Sequence, residues 1–398
     1  MKNRLLIFLK KYRVPLIILV LGFLASYLAW NSNTEYEMPS KLRLMNYLGL
    51  TFFFTGVFLF MVKAKKVFLG NIALLAVLVI LTELVCFFLL GMPSAVNKKF
   101  VGPDLPEDHI AIQIGYTPWA DTIYHKEKTV DGKLIFSSDA TIDSRSLRIT
   151  PGKHEDRNQH ALFFGCSICF GEGLADDETL AYQFQEQSDS HNGYNFAFSS
   201  YGANHMLARM QYEPLSNIVT EKEGVAFYIF FWDHLYRTLG SMERYTDFAM
   251  TGPYFTMEDD QLVRRKSFRD GRYAISKFYE LVYQTNIVKK FKIGLPLGLN
   301  EGHYDLFTEI VLEAKKNYQN EFGGQPFYFV NYPSYKAYED EQMEQLKAAL
   351  TSKGIDVIDF DEFLTYGPQY SFGPEDAHPN AGTHEILSEE LLKRIQQP

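Results

Sequence analysis

The chain has 398 residues, of which 46% are hydrophobic, and its formal net charge is -9. This length allows a membrane anchor and one large domain. The first 99 residues carry 12 Lys and Arg but only 3 Asp and Glu, so the acidic excess lies entirely in the remainder. Binding to nucleic acid is disfavoured for such an acidic domain, because phosphate neutralisation supplies most of that affinity.

Three apolar segments lie in the first hundred residues, at about 14–30, 45–62 and 67–91. Because a membrane-spanning helix needs roughly 20 apolar residues, residues 1–96 are predicted to form a membrane anchor of three transmembrane helices. Glu83 lies within the third segment. A carboxylate there is predicted to hydrogen-bond a neighbouring helix or to lie near the interface; the alternative is a partner or a cavity.

Basic residues indicate the orientation of these helices. Several precede the first segment, and Lys63, Lys65 and Lys66 separate the second from the third. Positive loops stay in the cytoplasm, so an odd number of spans places the chain after about Met92 on the other side. We expect a multi-pass protein of the inner (cytoplasmic) membrane, with a cytoplasmic N-terminus and a periplasmic or extracellular C-terminal domain.

Residues 97–159 are predicted to be a linker and a β-rich lead-in with a turn at Asp131-Gly132. From 160 to 398, short apolar strands alternate with amphipathic helices, which predicts an α/β fold with a three-layer, doubly wound parallel sheet. An insert at about 241–298 is predicted to be a solvated loop with one or two helices, or else a lid or docking surface. The predicted strands are 161–164, 194–198, 225–231, 327–331 and 356–360, and the predicted helices are 179–188, 204–212, 304–321, 340–352 and 382–395.

The run GCSICFGEG at 165–173 joins the first predicted strand to the helix after it. A strand, a tight turn and a helix N-terminus would expose Ser167 above the sheet, where a serine can act as a nucleophile. Gly202 and Asp233 follow later strands, and His378 lies in the last loop. Since ligands bind at the carboxyl ends of parallel strands, we expect these four residues to share one site.

Two cysteines, Cys166 and Cys169, flank Ser167 with CxxC spacing. A zinc site would need a second pair of ligands, and a thioredoxin-like context is not evident. Both are therefore predicted to be small buried residues at a tightly packed turn. We expect neither a metal ion nor a cofactor.

This ordered set of motifs, from about 161 to 395, resembles the SGNH (GDSL-type) hydrolase superfamily. The family's first motif is GDS, so the resemblance makes Ser167 the nucleophile and its backbone N–H one donor to the oxyanion, while Cys166 replaces the aspartate. The ending DAHPNAGTH makes His378 the general base and Asp376 the residue that orients it. Glu375, at the commoner family spacing, is the alternative acid.

The resemblance also implies two further donors to the oxyanion. A glycine loop matches the segment with Ser200, Tyr201 and Gly202, so that Gly202 or Ser200 would supply a backbone N–H. The family's third motif has an asparagine where this chain has Trp232. The substitutes considered for that asparagine are the indole of Trp232 itself and the side chains of Asn204, His205 and His234.

These observations predict an extracytoplasmic serine esterase or O-acyltransferase that acts on ester-linked acyl groups of cell-envelope glycans through an acyl-serine intermediate. Envelope members of the family work beside a multi-spanning acyl-transfer protein, which implies such a partner here. The alternative is a catalytically degenerate domain that binds glycan or acts as a scaffold in a membrane complex, because Cys166 and Trp232 depart from the family pattern. A third possibility is a thioester or lipid esterase.

Overall fold

The computed structural model describes residues 2–31, 40–90, 98–101, 113–333, 340–362, 364 and 367–396. The chain divides into two compact units. The first comprises Met1–Ala95 and Leu281–Ile293, and the second comprises Val96–Glu280 and Gly294–Pro398. The sequence analysis assigned 281–293 to the insert of the large domain, whereas the structure groups these residues with the anchor.

The helices and strands follow one another along the chain as α1 (Lys2–Asn31), α2 (Ser40–Lys63), α3 (Val67–Leu90), β1 (Lys98–Val101), β2 (Thr122–Val130), β3 (Lys133–Ile142), β4 (Gln159–Gly165), α4 (Ser167–Phe170), α5 (Leu180–Gln187), β5 (His191–Asn195), α6 (Ala203–Tyr212), β6 (Glu223–Phe230), α7 (Asp233–Leu239), α8 (Met242–Arg244), β7 (Pro253–Glu258), β8 (Gln261–Ser267), α9 (Phe268–Gly271), α10 (Tyr273–Tyr283), α11 (Asn286–Phe291), α12 (Glu301–Glu321), β9 (Phe327–Asn331), α13 (Asp340–Ser352), β10 (Asp356–Asp359) and α14 (Ala381–Gln396).

The first unit consists mainly of α1, α2 and α3. Within these helices, Phe8–Asn31, Leu42–Lys63 and Val67–Leu90 are long and apolar enough to cross a membrane, so the three predicted apolar helices are present. Helices α1 and α2 pack closely at glycines: a Cβ added at Gly22 or Gly49 would lie within 3.0 Å of the facing helix backbone. Small residues at such contacts allow two helices in a membrane to approach closely.

Glu83 on α3 is buried, and its carboxylate is hydrogen-bonded within the first unit. The hydroxyl of Tyr47 on α2 donates to it at 3.2 Å, as predicted for a neighbouring helix. The backbone N–H groups of Asn286 and Ile287, at the start of α11, donate at 2.7 Å and 2.9 Å. A carboxylate at the first turn of a helix satisfies N–H groups that have no partner within that helix.

Replacement of Glu83 by alanine is expected to release the segment around α11 from the anchor. An unsatisfied buried N–H costs about 1–3 kcal/mol, so local opening should increase by about ten-fold or more. Tryptic cleavage after Lys289 or Lys290 in the full chain, held in lipid nanodiscs, measures that opening. Thr82→Ala is the matched control, because the Thr82 hydroxyl donates to the carbonyl of Leu78 in its own helix. Equal cleavage rates in Glu83→Ala and Thr82→Ala would contradict the assignment.

The lead-in of the second unit is an antiparallel sheet with the order β1-β2-β3. Strands β2 and β3 form a hairpin whose turn residues, Asp131 and Gly132, both have positive φ (50° and 80°). Such angles are typical of a type I′ turn, which fits the twist of paired strands. The turn predicted at this dipeptide is therefore present.

Five parallel strands form the central sheet in the order β10-β9-β6-β4-β5. Consecutive residues of β4 point to opposite faces: Phe164 joins a core with residues of α6 and α12, whereas Phe163 joins a core with residues of α5 and α14. Helices thus cover both faces, which confirms the predicted three-layer α/β fold. The strand order reverses at β4, and ligands bind beside the carboxyl ends of strands at such a reversal.

The insert contains more regular structure than predicted. It has the β7–β8 hairpin in addition to short helices and α10. In β8 the side chain of Arg264 is half-buried and that of Arg265 is exposed, and the guanidinium of Arg264 lies over the ring of Phe255 on the partner strand. This hairpin is not evident from the sequence, because basic residues interrupt the alternation of its apolar side chains.

Candidate active site

Ser167 is the first residue of α4, two residues after the end of β4. Cys166 is the N-cap and has an extended backbone, and Gly171 ends the single helical turn in the left-handed region, at φ 84°. A glycine is favoured there because residues with a Cβ rarely adopt a positive φ. The sharp strand-to-helix turn predicted from GCSICFGEG is thus the local geometry.

Arg148, from the end of the lead-in, braces this turn. Its buried guanidinium donates to the carbonyl oxygens of Phe170 and Gly171 at 2.9 Å and 2.7 Å and to that of Leu174 at 2.6 Å. It also forms an ion pair with Asp176 at 2.9 Å. One planar, five-donor group thus joins three backbone carbonyls of the turn to the carboxylate of Asp176.

The structure brings three predicted residues into one hydrogen-bonded chain. The Oγ of Ser167 is 2.9 Å from Nε2 of His378, and Nδ1 of His378 is 2.7 Å from Oδ1 of Asp376. The same carboxylate oxygen accepts the backbone N–H of His378 at 2.9 Å. A nucleophile, a base and a group that orients the base are the parts of a serine triad.

Asp376, rather than Glu375, contacts His378. Burial would raise the pKa of the Asp376 carboxyl, but its hydrogen bonds and charge interaction with His378, and then the Lys128 ammonium, hold that pKa well below its usual range. The carboxylate is therefore ionised at neutral pH. The side chain of Glu375 lies instead 3.9 Å from Lys133.

Three of the predicted oxyanion donors, Gly202, Asn204 and Trp232, lie in loop contacts or in the core. The N–H of Gly202 donates to Nδ1 of His205 at 3.2 Å, and the amide of Asn204 donates to the carbonyl of Pro253 at 2.8 Å. Trp232 is buried just before α7, with its ring against Phe230. These three groups take part in packing and loop structure.

Ser200 is the glycine-loop candidate that remains. It has φ 67°, a left-handed conformation that is uncommon for a residue with a side chain and recurs at functional sites. Within residues 113–333 of the described chain, its N–H has no hydrogen-bond acceptor. The N–H of Ser200 and the N–H of Ser167, in the first turn of α4, are therefore the two candidate donors to an oxyanion.

His205 and His234 are buried and belong to the core. Burial lowers the pKa of His205 to about 3 and lowers that of His234 well below its usual value. The Nδ1 of His234 lies 2.7 Å from the hydroxyl of Tyr228. Neutral imidazoles held in this way are typical of structural histidines.

The cysteines beside Ser167 are unpaired and buried. Burial raises the pKa of the Cys169 thiol well above its usual value, so this cysteine is a small apolar residue of the turn.

Asp233 is held between Arg237 and Arg244 at 2.7 Å and 2.6 Å. Among the described residues, no three or more His, Cys, Asp or Glu side chains are arranged to hold a metal ion.

Sequence reasoning missed two lysines of β2. Lys128 lies 2.6 Å from Oδ2 of Asp376, and Lys126 lies 2.6 Å from the buried carboxylate of Glu172. The oxygen Oε2 of Glu172 also accepts the hydroxyl of Ser199 at 2.8 Å. The only signal in the sequence is the spacing of the lysines, which places both on one face of a strand.

No family model and no curated protein matches the chain. Solved structures that are similar to it include a putative lipolytic protein of the GDSL family from Desulfitobacterium hafniense, with 12% identity, a TM-score of 0.34, and coverage of 59% of this chain and 99% of that one. A GDSL lipolytic protein from Veillonella parvula has 13% identity, a TM-score of 0.32, and coverage of 60% and 100%. An acetyl xylan esterase from Butyrivibrio proteoclasticus has 8% identity, a TM-score of 0.34, and coverage of 69% and 68%. The first two belong to the family that the sequence motifs resemble.

Proposed function

We propose that the chain is a membrane-anchored serine esterase or O-acyltransferase that forms an acyl-serine intermediate. The observation that carries this proposal is the continuous hydrogen-bonded chain from Ser167 through His378 to Asp376. Ser167 and His378 are 211 residues apart in the sequence. A serine hydroxyl is a weak nucleophile unless a base within hydrogen-bond reach accepts its proton.

In the proposed reaction, Oγ of Ser167 attacks an ester carbonyl while its proton passes to Nε2 of His378. Asp376 stabilises the resulting imidazolium, and the N–H groups of Ser167 and Ser200 donate to the oxyanion. The tetrahedral intermediate collapses, and the alcohol leaves with the proton from His378. Water or a sugar hydroxyl then attacks the acyl-enzyme, again assisted by His378, and restores the serine.

The proposed location is the outer side of the inner membrane, with the N-terminus in the cytoplasm. Support comes from the three apolar helices and from the basic residues before the first helix and between the second and third. An outward-facing acyl-ester enzyme would meet cell-envelope glycans or lipids. A multi-spanning acyl-transfer protein is the partner that a transferase would need.

A fluorophosphonate probe is expected to label the full chain at Ser167, because such probes react with activated serines. Ser167→Ala should reduce labelling by at least about 100-fold, since loss of the nucleophile leaves only background reaction. Ser137→Ala, at an exposed serine of β3, is the matched control and should be labelled like wild type. A membrane-impermeant probe applied to intact spheroplasts tests the proposed location in the same gel.

The competing proposal is a non-catalytic domain that binds glycan. It is favoured by the engagement of the Gly202 and Asn204 donors elsewhere, which leaves fewer groups for an oxyanion. Equal labelling of wild type and Ser167→Ala would support this alternative and exclude the proposed enzymatic function.

A further inference from the structure

The lead-in strand β2 directs two lysine side chains toward the candidate active site. Lys126 and Lys128 are two residues apart and therefore project from the same face of the strand. Their side chains are only 12% and 16% exposed, which is unusual for lysines. Each is paired with one acidic side chain, Glu172 or Asp376.

Lys128 completes the hydrogen bonding of the Asp376 carboxylate. Oδ1 of Asp376 accepts from His378, and Oδ2 accepts from Nζ of Lys128 at 2.6 Å. Nζ also donates to the carbonyl oxygen of Glu375 at 3.0 Å. Rotation of the carboxylate away from His378 would therefore break a charge-assisted hydrogen bond, which is among the stronger kinds.

The second lysine of β2 is paired with a carboxylate in the same way. Glu172 is nearly fully buried; burial would raise the pKa of its carboxyl, but Lys126, His378 and Ser199 together hold that pKa below its usual value. Both lysines of β2 are therefore paired with carboxylates that interact with His378.

We propose that Lys128 is a positioning residue for the general base: it fixes the Asp376 carboxylate toward Nδ1 of His378. The inference rests on the proposed serine chemistry, and it gives the lead-in sheet a part in that chemistry. A His378 ring whose Nδ1–H bonds to the carboxylate presents its other nitrogen, Nε2, to Ser167 as the acceptor of the serine proton.

The test is the rate of fluorophosphonate labelling of the full chain in detergent, with thermal unfolding of each variant recorded alongside. Lys128→Met removes the donor to Asp376 and should lower the labelling rate by about ten-fold. Lys128→Gln keeps a donor to Asp376 and should retain the rate within about three-fold. Lys128→Arg, the conservative variant, should restore the wild-type rate.

Lys133→Met is the matched control, because the side chain of Lys133 is 72% exposed and lies 3.9 Å from Glu375. Its labelling rate should follow that of wild type, since exposed ion pairs contribute little. A wild-type rate in Lys128→Met would overturn the proposal, and so would a loss of rate of about ten-fold in a folded Lys128→Gln. The second result decides if Lys128→Met does not fold. Absence of labelling in wild type would instead exclude the proposed serine chemistry itself.

Discussion

Asp376→Asn is expected to lower the rate of ester hydrolysis by about 10³–10⁴-fold while leaving the fold intact. The reason lies in both neighbours of the carboxylate. Oδ1 faces Nδ1 of His378, and Oδ2 faces the Lys128 ammonium at 2.6 Å. An asparagine with its NH₂ group toward Lys128 would set donors against a cation. The opposite orientation would set the NH₂ against the backbone N–H of His378, but the hydrogen bond from the Lys128 ammonium is charge-assisted and therefore stronger. The amide should thus turn its oxygen to Lys128 and its NH₂ to His378.

That orientation places the histidine in the wrong tautomer. Nδ1 of His378 would then accept a hydrogen bond, so the ring proton would move to Nε2, the atom that faces Ser167. A protonated Nε2 cannot take the serine proton. Loss of the negative charge also removes the stabilisation of the imidazolium, and the two effects act in the same direction.

The measurement is the initial rate of hydrolysis of a short-chain aryl acetate by the full chain, with thermal unfolding of each variant recorded alongside. Glu375→Gln is the matched control. Because the Glu375 side chain faces Lys133 at 3.9 Å, this variant should keep its rate within about three-fold. A larger loss in Glu375→Gln than in Asp376→Asn would assign the orienting role to Glu375.

The fold could be predicted where strands are buried on both faces. The strand over Phe327–Asn331 and the helix over Asp340–Ser352 lie at their predicted bounds, because continuous apolar runs and amphipathic periodicity are local signals. Strand β5 was placed three residues too late. It begins with His191 and Asn192, polar side chains that are buried and hydrogen-bonded to Ser188 and Glu221. The bond to Glu221 joins residues 29 apart, and such a long-range partner is invisible in the sequence.

The candidate active site was likewise predictable only where the sequence carries a local signal. Ser167, Asp376 and His378 could be predicted because motifs at strand ends and in the last loop carry them. Lys128 could not be, because its partner lies 248 residues away and an alternating lysine on a strand more often faces solvent. The contact between Glu83 and the start of α11 spans 203 residues and is equally non-local.

Trp232 illustrates the limit of motif alignment. The alignment sets it where the family has an amide donor, and the indole N–H is a chemically valid donor. In the structure, however, the ring fills the core beside Phe230, and the side chain is only 2% exposed. An alignment predicts only which residue of the chain corresponds to the family's asparagine. Whether its side chain points into the site or into the core depends on its volume and packing.

Gly165→Ala is expected to disable the site through packing alone. A Cβ at Gly165 would lie 2.8 Å from Cβ of Cys169 and 2.9 Å from the carbonyl oxygen of Ile229. Neither atom is the end of a flexible side chain: one belongs to α4, which begins with Ser167, and the other to the neighbouring strand β6. Either the helix or the sheet must shift, and overpacking of this kind costs about 1–3 kcal/mol.

The shift should cost more in activity than in stability. A displacement of about 1 Å between a nucleophile and its base can reduce the rate by about 100-fold, so labelling of Ser167 in Gly165→Ala should fall by that factor while a cooperative unfolding transition remains. Gly298→Ala is the matched control, since no atom of the described residues lies within 4 Å of its added Cβ. Wild-type labelling in Gly165→Ala would show that the turn tolerates a side chain. The close approach of β4, α4 and β6 would then not be what places Ser167 against His378.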